Sequence, residues 1–386
     1  MKKMSLVSLM LAFVISIAAV PSHVFAEKEK EETVRSSILI ERDTGQVLSG
    51  ENMEKELPPA SMTKIMTMLL IMEEIEAEKL HYEDKVRASE YAASMGGSQI
   101  FLEAGEEMTV KELLKGIAVA SGNDASVAMA EKIAGTEDAF VKKMNEKASE
   151  LGLSHTKFQN ATGLPANDHY STAKDMAMMA RALLGHEEIT EFTGIYEDYL
   201  RQDSEDPFWL VNTNKLVKFY PGVDGLKTGF TKEAKYCLTA TAKKDGMRVV
   251  AVVMGAETPK QRNNEVSRLL DYGFNQYAVK QLYKENQVVA KLDKLKAARQ
   301  NVPIMTEEPV SLLQKKGEEQ GKLETKIVYK KEISLPLKAG EQVGILEVRS
   351  KDKLISTTPL VMKEDVPTAS YWLLMKRSFD DMVKFR

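Results

Sequence analysis

The chain holds a single cysteine, Cys237, so no disulfide can form within it, and a chain of 386 residues must rely on its core instead. Lysine and arginine number 53 against 57 aspartates and glutamates. The net charge of −4 leaves no basic excess for gripping a nucleic-acid backbone. Histidines are few. His23 lies close to the N-terminus, and His81, His155, His169 and His186 show neither HxxxH nor HxH spacing, which argues against a zinc centre. The apolar run from Leu6 to Val20 is nearly long enough to span a bilayer, but serines interrupt it and Pro21 follows. With Lys2 and Lys3 before it and the small-residue site Val24-Phe25-Ala26 after it, residues 1–26 read as a cleaved secretory signal, the alternative being an uncleaved anchor. The mature protein is therefore expected outside the cytoplasm.

About 360 residues remain, too many for one ordinary core, which suggests two domains. After the charged linker EKEKEE, the stretch SSILIERDTGQVLSG alternates apolar and polar residues around Asp43-Thr44-Gly45, a strand–turn–strand signal. Helical patterns follow from Ser61 to about Glu78, over 109–120, from an Asp124 cap onward, and after a Ser171 cap. KYCLTATAKKDGMRVVAVVMGAE reads as a hairpin turning at Asp245-Gly246, and RNNEVSRLLDYGFNQY is helical again. An early strand pair, a helical middle and late strands imply an α/β (α+β) domain over 27–281, its sheet closed by sequence-distant strands. Over 282–368 helical periodicity gives way to short strand-like runs, a small β-rich domain. The tail, 369–386, returns to helix period. Trp372, Met375, Phe379, Met382 and Val383 form one stripe, with Lys376, Arg377, Lys384 and Arg386 around it. Such a helix can lie in a membrane interface or pack as an ordinary amphipathic helix.

The chemistry begins in PPASMTKIMTMLLIMEE, residues 58–74, where Ser61 and Lys64 open a helix that otherwise reads as buried. Three residues apart, their side chains share a face. A serine hydroxyl becomes a nucleophile when a base takes its proton, and a lysine is such a base only if its pKa falls far below about 10.4. Burial and a second nearby cation both push it down. Free N–H groups at a helix N-terminus can also hold a developing oxyanion. The pair alone is weak, because SxxK recurs at Ser154/Lys157, Ser171/Lys174 and Ser350/Lys353. What distinguishes Ser61 is its company: Ser121-Gly122-Asn123 is the one SxN in the chain, and Lys227-Thr228-Gly229 the one KTG. The order SxxK, SxN, KTG is that of penicillin-binding proteins and class A β-lactamases.

The trio, with SGNDAS around the second motif and KTGFTKEAKYCL around the third, closely resembles the low-molecular-mass penicillin-binding proteins that are D-alanyl-D-alanine carboxypeptidases. Among them it looks most like Bacillus-type members connected with sporulation. The resemblance spans the mature chain and implies an antiparallel sheet flanked by helices, a helical lobe, a β-rich second domain and an amphipathic tail. It implies Ser61 as acylated nucleophile, Lys64 as proton acceptor, Ser121 as relay to the leaving nitrogen and Asn123 as a peptide-binding group. Lys227 and Thr228 would take the substrate's terminal carboxylate, Arg262 being a further candidate for it, and the backbone N–H groups of Ser61 and Phe230 would form the oxyanion hole. The implied substrate is a peptidoglycan stem peptide ending in D-Ala-D-Ala, with β-lactams as covalent inhibitors. No cofactor or metal is required.

Three rivals stay open at this point. A class A β-lactamase would add a glutamate in an ExxxN loop, and Glu187, Glu188 and Glu191 have no Asn at that spacing. Endopeptidase action on cross-links uses the same motifs. A non-catalytic wall-binding protein would need neither the nucleophile nor the base. The methionines (Met66, Met68, Met72, Met176, Met178, Met179) read as core filling, and Cys237 as a packed residue in preference to a reactive thiol.

Overall fold

The computed structural model describes residues 34–318, 323–350 and 353–384. The expected leader and the EKEKEE linker lie outside the described residues. β1 (Ser36–Glu41) and β2 (Val47–Glu51) form the expected hairpin, with Gly45 at φ +68° in its turn. β1 then pairs across some two hundred residues of sequence with β9 (Met247–Ala256), Ile38 opposite Val252. With β7 (Val223–Thr231) and β8 (Lys235–Lys244) the result is a five-stranded antiparallel sheet ordered β2-β1-β9-β8-β7. Two short pairs lie in the intervening chain, β3 (Lys85–Arg87) with β4 (Glu107–Thr109) and β5 (Glu197–Leu200) with β6 (Phe208–Val211).

Every residue of β9 is buried, because helices cover both faces of the sheet. Val249, Ala251 and Val253 pack with Val266, Leu269 and Leu270 of the Pro259–Gln276 helix. Val250, Val252 and Met254 face the other way, into a core shared with the Lys64–Glu76 and Ala173–Leu183 helices. Successive strand residues point to opposite faces, so a strand covered on both sides reads as an unbroken apolar run. Lys64 to Met72 are buried without a break, as befits a helix apolar all round. Met66, Met68, Met72, Met176 and Met179 fill this core, with Met178 half-buried beside it. Cys237 is fully buried there too.

Two expected caps are displaced. Gly122, not Asp124, occupies the cap of the Asn123–Ala134 helix, because the Asp124 carboxylate turns back to accept the N–H groups of Ile100 and Leu102. Thr172 caps the next of the expected helices, accepting from Asp175 N, while Ser171 Oγ pairs with Thr156 Oγ1 at 2.8 Å. The 109–120 segment starts as an α-helix, Val110–Lys115, capped reciprocally by Thr109 and Glu112. It widens into a π turn over Gly116–Ala120 that ends at Ser121.

From Tyr277 the chain is β-rich. β10 (Tyr277–Tyr283) pairs with β13 (Val310–Lys315). β11 (Val288–Leu292), β12 (Val302–Thr306), β14 (Leu323–Tyr329), β15 (Gln342–Ser350) and β16 (Lys353–Met362) form a second antiparallel sheet ordered β11-β12-β16-β15-β14. Its own core includes Ile304, Val343, Val348 and Leu360. The last helix, Tyr371–Lys384, leaves Tyr371, Trp372 and Met375 exposed, while Arg377 donates to the carbonyls of Ala297 and Ala298. The side chains of Phe379, Met382 and Val383 lie outside the described residues.

Candidate active site

Pro58 and Pro59 lead into a 3-10 turn, Ala60–Thr63, that runs straight into the buried helix beginning at Lys64. Ala60 takes a left-handed φ of +48° to make the corner. Ser61 is half-buried at the head of this turn and Lys64 is fully buried one turn below it. The lysine nitrogen meets three oxygens: Asn123 Oδ1 at 2.6 Å, Thr162 O at 2.7 Å and Ser61 Oγ at 3.2 Å. Burial drives its pKa well below the ordinary lysine value. The Lys227 charge adds to that depression, and the Asp124 carboxylate opposes it. A neutral amine has two N–H groups and one lone pair. Asn123 Oδ1 and Thr162 O can only accept, so once Lys64 has lost a proton they take the two N–H groups and the lone pair is left for the Ser61 hydroxyl.

The second motif closes the same space. Ser121 sits in the left-handed region, φ +65°, between the π turn and the Asn123–Ala134 helix. Its Oγ is buried and has no hydrogen-bond partner among the described residues. A buried hydroxyl in that state costs stability unless something later pairs with it. Asn123 Nδ2 donates to Gly96 O at 2.6 Å and Asn123 N to Ser98 O at 2.8 Å, so this residue also clamps the 96–102 loop that Asp124 holds.

The third motif lies on β7. Lys227 is fully buried and donates to Thr228 O at 3.1 Å. Burial brings its pKa down to about 7, with the Arg262 guanidinium contributing. Arg262 is itself buried near the start of the Pro259–Gln276 helix, its Nε and Nη2 on Asn263 Oδ1. Two basic side chains thus lie buried near one another, close enough for the Arg262 charge to depress Lys227. Thr228 Oγ1 donates to Thr213 Oγ1 at 2.7 Å. Gly229 lets β7 approach the turn that carries Ser61: a Cβ there would lie 2.8 Å from Pro59 O and 3.2 Å from Ala60 Cβ. Phe230 follows with its ring exposed and stacked on Tyr236, centroids 4.4 Å apart.

Three comparisons show which known proteins the chain is similar to. A family model described as D-alanyl-D-alanine carboxypeptidase, peptidase S11, matches residues 23–258. The chain belongs to that family. A second family model, the C-terminal domain of penicillin-binding protein 5, matches residues 277–368. The D-alanyl-D-alanine carboxypeptidase DacF of Bacillus subtilis is 54% identical over 99% of both chains. Among solved structures, penicillin binding protein 5 from Haemophilus influenzae covers 87% of this chain and 98% of its own at a TM-score of 0.68 and 28% identity. Penicillin binding protein 6B from Escherichia coli covers 88% and 98% at 0.66 and 29%.

Several groups that hold this carboxypeptidase's lysine carry no motif of their own. Thr162 O is presented by a tight turn in which Asn160 Oδ1 accepts from Thr162 N, Thr162 Oγ1 and Gly163 N. Gly163, at φ +83°, rests on the Ala60–Ser61 peptide, and a Cβ there would meet Ala60 O at 1.9 Å. The signal was present in N-A-T-G, an Asx turn closed by glycine, but a loop-rich reading of 154–171 does not say what the turn touches. Thr213, beside Thr228, had no signal. Cys237 Sγ bonds to Ala234 O and accepts from Gly255 N, and burial raises the thiol to about 11, so it is a packed residue and not a nucleophile.

Proposed function

We propose that Ser61, Lys64 and Ser121 carry the reaction of this serine-type D-alanyl-D-alanine carboxypeptidase, which removes the terminal D-alanine of peptidoglycan stem peptides through an acyl-enzyme. One observation supports the assignment above the others: the buried Lys64 amine lies 3.2 Å from Ser61 Oγ while two acceptor-only oxygens, Asn123 Oδ1 and Thr162 O, take its other contacts, so that in the neutral form its lone pair is left for Ser61. Ser61 Oγ attacks the carbonyl carbon of the penultimate D-alanine as its proton passes to Lys64 Nζ. The developing oxyanion meets the backbone N–H groups of Ser61 and Phe230. As the C–N bond breaks, the proton moves from Lys64 by way of Ser121 Oγ to the leaving nitrogen, giving the unpartnered hydroxyl its role. D-Alanine departs. Water then attacks the ester, its proton taken by Lys64, and Ser61 is restored.

Lys227, Thr228 and Arg262 anchor the carboxylate of the departing residue, which sets the scissile carbonyl over Ser61 and makes the attack an intramolecular event. β-Lactams acylate the same serine, and their ring-opened amine stays tethered. The family acts outside the cytoplasm. For this chain we infer export through the 1–26 leader and peripheral attachment through the Tyr371–Lys384 helix, whose Tyr371, Trp372 and Met375 are exposed. Among the described residues no helix is long and apolar enough to cross a membrane.

Release of D-alanine from a muramyl pentapeptide mimic, paired with fluorescent-penicillin labelling, tests the assignment. The natural chain is expected to do both and Ser61→Ala neither. Covalent labelling that persists in Ser61→Ala would remove the nucleophile from this position.

A further inference from the structure

Below the turn that carries Ser61, a buried imidazole binds Thr63, one of the two residues that separate nucleophile from base. His169 is 7% exposed, with Phe158 edge-on at 5.9 Å between ring centroids. Its Nδ1 lies 3.3 Å from the backbone nitrogen of Gln159, and its Nε2 lies 2.9 Å from Thr63 Oγ1. A backbone N–H can only donate, so Nδ1 holds a lone pair and the ring proton is on Nε2, donated to Thr63. The neutral ring suits its surroundings, since burial brings the imidazole down to about 4. Thr63 is itself fully buried.

Gln159 and His169 bracket a loop, and the loop is fastened to the same helix at two further points. Thr67 Oγ1 donates to Ala161 O at 2.7 Å, and Lys64 Nζ donates to Thr162 O at 2.7 Å. The imidazole therefore ties both ends of this loop to the nucleophile's turn. Between those ends lies the carbonyl that fixes one N–H of the lysine.

We propose that His169 is a positioning residue for acylation, acting through the Thr63 hydroxyl to hold the 159–169 loop so that Thr162 O orients the Lys64 lone pair toward Ser61. Both ring nitrogens are engaged elsewhere, so no proton of the reaction passes through the imidazole. The inference rests on the assignment of Ser61 and Lys64 above.

The test uses the full chain with Thr63→Val, Thr63→Ser, His169→Gln and the double variant Thr63→Val/His169→Gln. For each, fluorescent-penicillin kinetics give the non-covalent dissociation constant and the first-order acylation constant, and thermal melting gives stability. Thr63→Val and His169→Gln are each expected to slow acylation about tenfold, the worth of one oriented hydrogen bond, with the dissociation constant unchanged. Thr63→Ser keeps the hydroxyl and is expected within about twofold of the natural chain. The double variant should be no slower than the slower single one, because both changes cut the same link. Acylation of Thr63→Val at the natural rate would overturn the proposal. So would losses that multiply in the double variant, or a fall in melting temperature with acylation unchanged. Should His169→Gln fail to fold, the Thr63→Val and Thr63→Ser pair decides alone. If the natural chain is not labelled at Ser61, the site assignment itself has failed, which is a separate outcome.

Discussion

Asn123 Oδ1 lies 2.6 Å from Lys64 Nζ, nearer than the Ser61 hydroxyl at 3.2 Å. The amide is committed at its other end as well, Nδ2 donating to Gly96 O. A residue expected to bind the peptide chain is thus also the group that sets how Lys64, the proposed general base, is held. Its neutrality matters. A carboxylate in the same place would favour the ammonium form of Lys64 and keep the lone pair occupied.

Asn123→Asp should therefore shift the acid limb of the acylation profile to higher pH by about one unit or more. The sign follows from the charge: an anion beside Lys64 raises its pKa, so a higher pH is needed to free the base. Acylation should also be slower at every pH, because Gly96 O loses its donor. Second-order acylation constants across the pH range measure both effects. An acid limb that does not move would mean that Asn123 does not govern the charge on Lys64.

Lys227 links the site to stability. The unfolded amine holds its proton up to about pH 10.4, whereas the folded one releases it at about 7. Between those values the unfolded chain binds more protons, so this lysine makes stability rise with pH from about 7 to about 10. Its cost is fully present below pH 7. Lys227→Met should stabilise the fold at pH 7 by about 2 kcal/mol, a discounted share of the roughly 1.4 kcal/mol that each tenfold change in protonation represents. It should also flatten the rise towards pH 10 and abolish carboxypeptidase activity. Denaturant melts at neutral and alkaline pH, run beside the assay, check all three. An unchanged or lower stability at pH 7 would show that burying the amine costs the fold little.

The glycine under the turn that carries Ser61 gives a sharper packing test. Gly163→Ala puts a methyl 1.9 Å from Ala60 O on a backbone at φ +83°, so the turn carrying Ser61 must shift. Gly152, at φ +70°, has nothing within 4 Å and supplies the control. Gly152→Ala should cost about 1 kcal/mol, from the left-handed backbone alone. Gly163→Ala should cost more than about 2 kcal/mol and should slow acylation about a hundredfold, since displacing the nucleophile by an ångström is enough for that. Equal effects of the two changes would mean that the Gly163 contact does not position Ser61.

How much of this could be read from the chain differs by the kind of group involved. Ser61, Lys64, Ser121, Asn123 and Lys227 stand out because side-chain chemistry needs those residue types at fixed spacings. The hairpins stand out for a similar reason, as at Asp245-Gly246, both with positive φ. Thr162 acts through a backbone carbonyl, which any residue could offer, and Thr213 and His169 reach the site only because the fold closes distant loops on it. Asp124 read as a cap by its place before a helix, yet its carboxylate serves a loop more than twenty residues earlier in the chain. Local pattern names the groups that react, and tertiary closure selects those that hold them.

The last helix yields a prediction about location. Arg377 is spent on the carbonyls of Ala297 and Ala298, which fastens the helix to the β-rich part and leaves Tyr371, Trp372 and Met375 to solvent. Exposed aromatic and methionine side chains on one short helix suit the headgroup boundary of a bilayer, where a ring can bury its apolar body and keep its polar edge wet. Each such side chain contributes about 1.5 kcal/mol or more when withdrawn from water. The chain without its 1–26 leader should therefore sediment with vesicles containing anionic lipid. Trp372→Ser/Met375→Ser should bind at least about tenfold more weakly, with D-alanine release from a soluble peptide unchanged. Equal sedimentation of the two proteins would remove these side chains from any membrane contact and leave the helix as a packed end of the β-rich region.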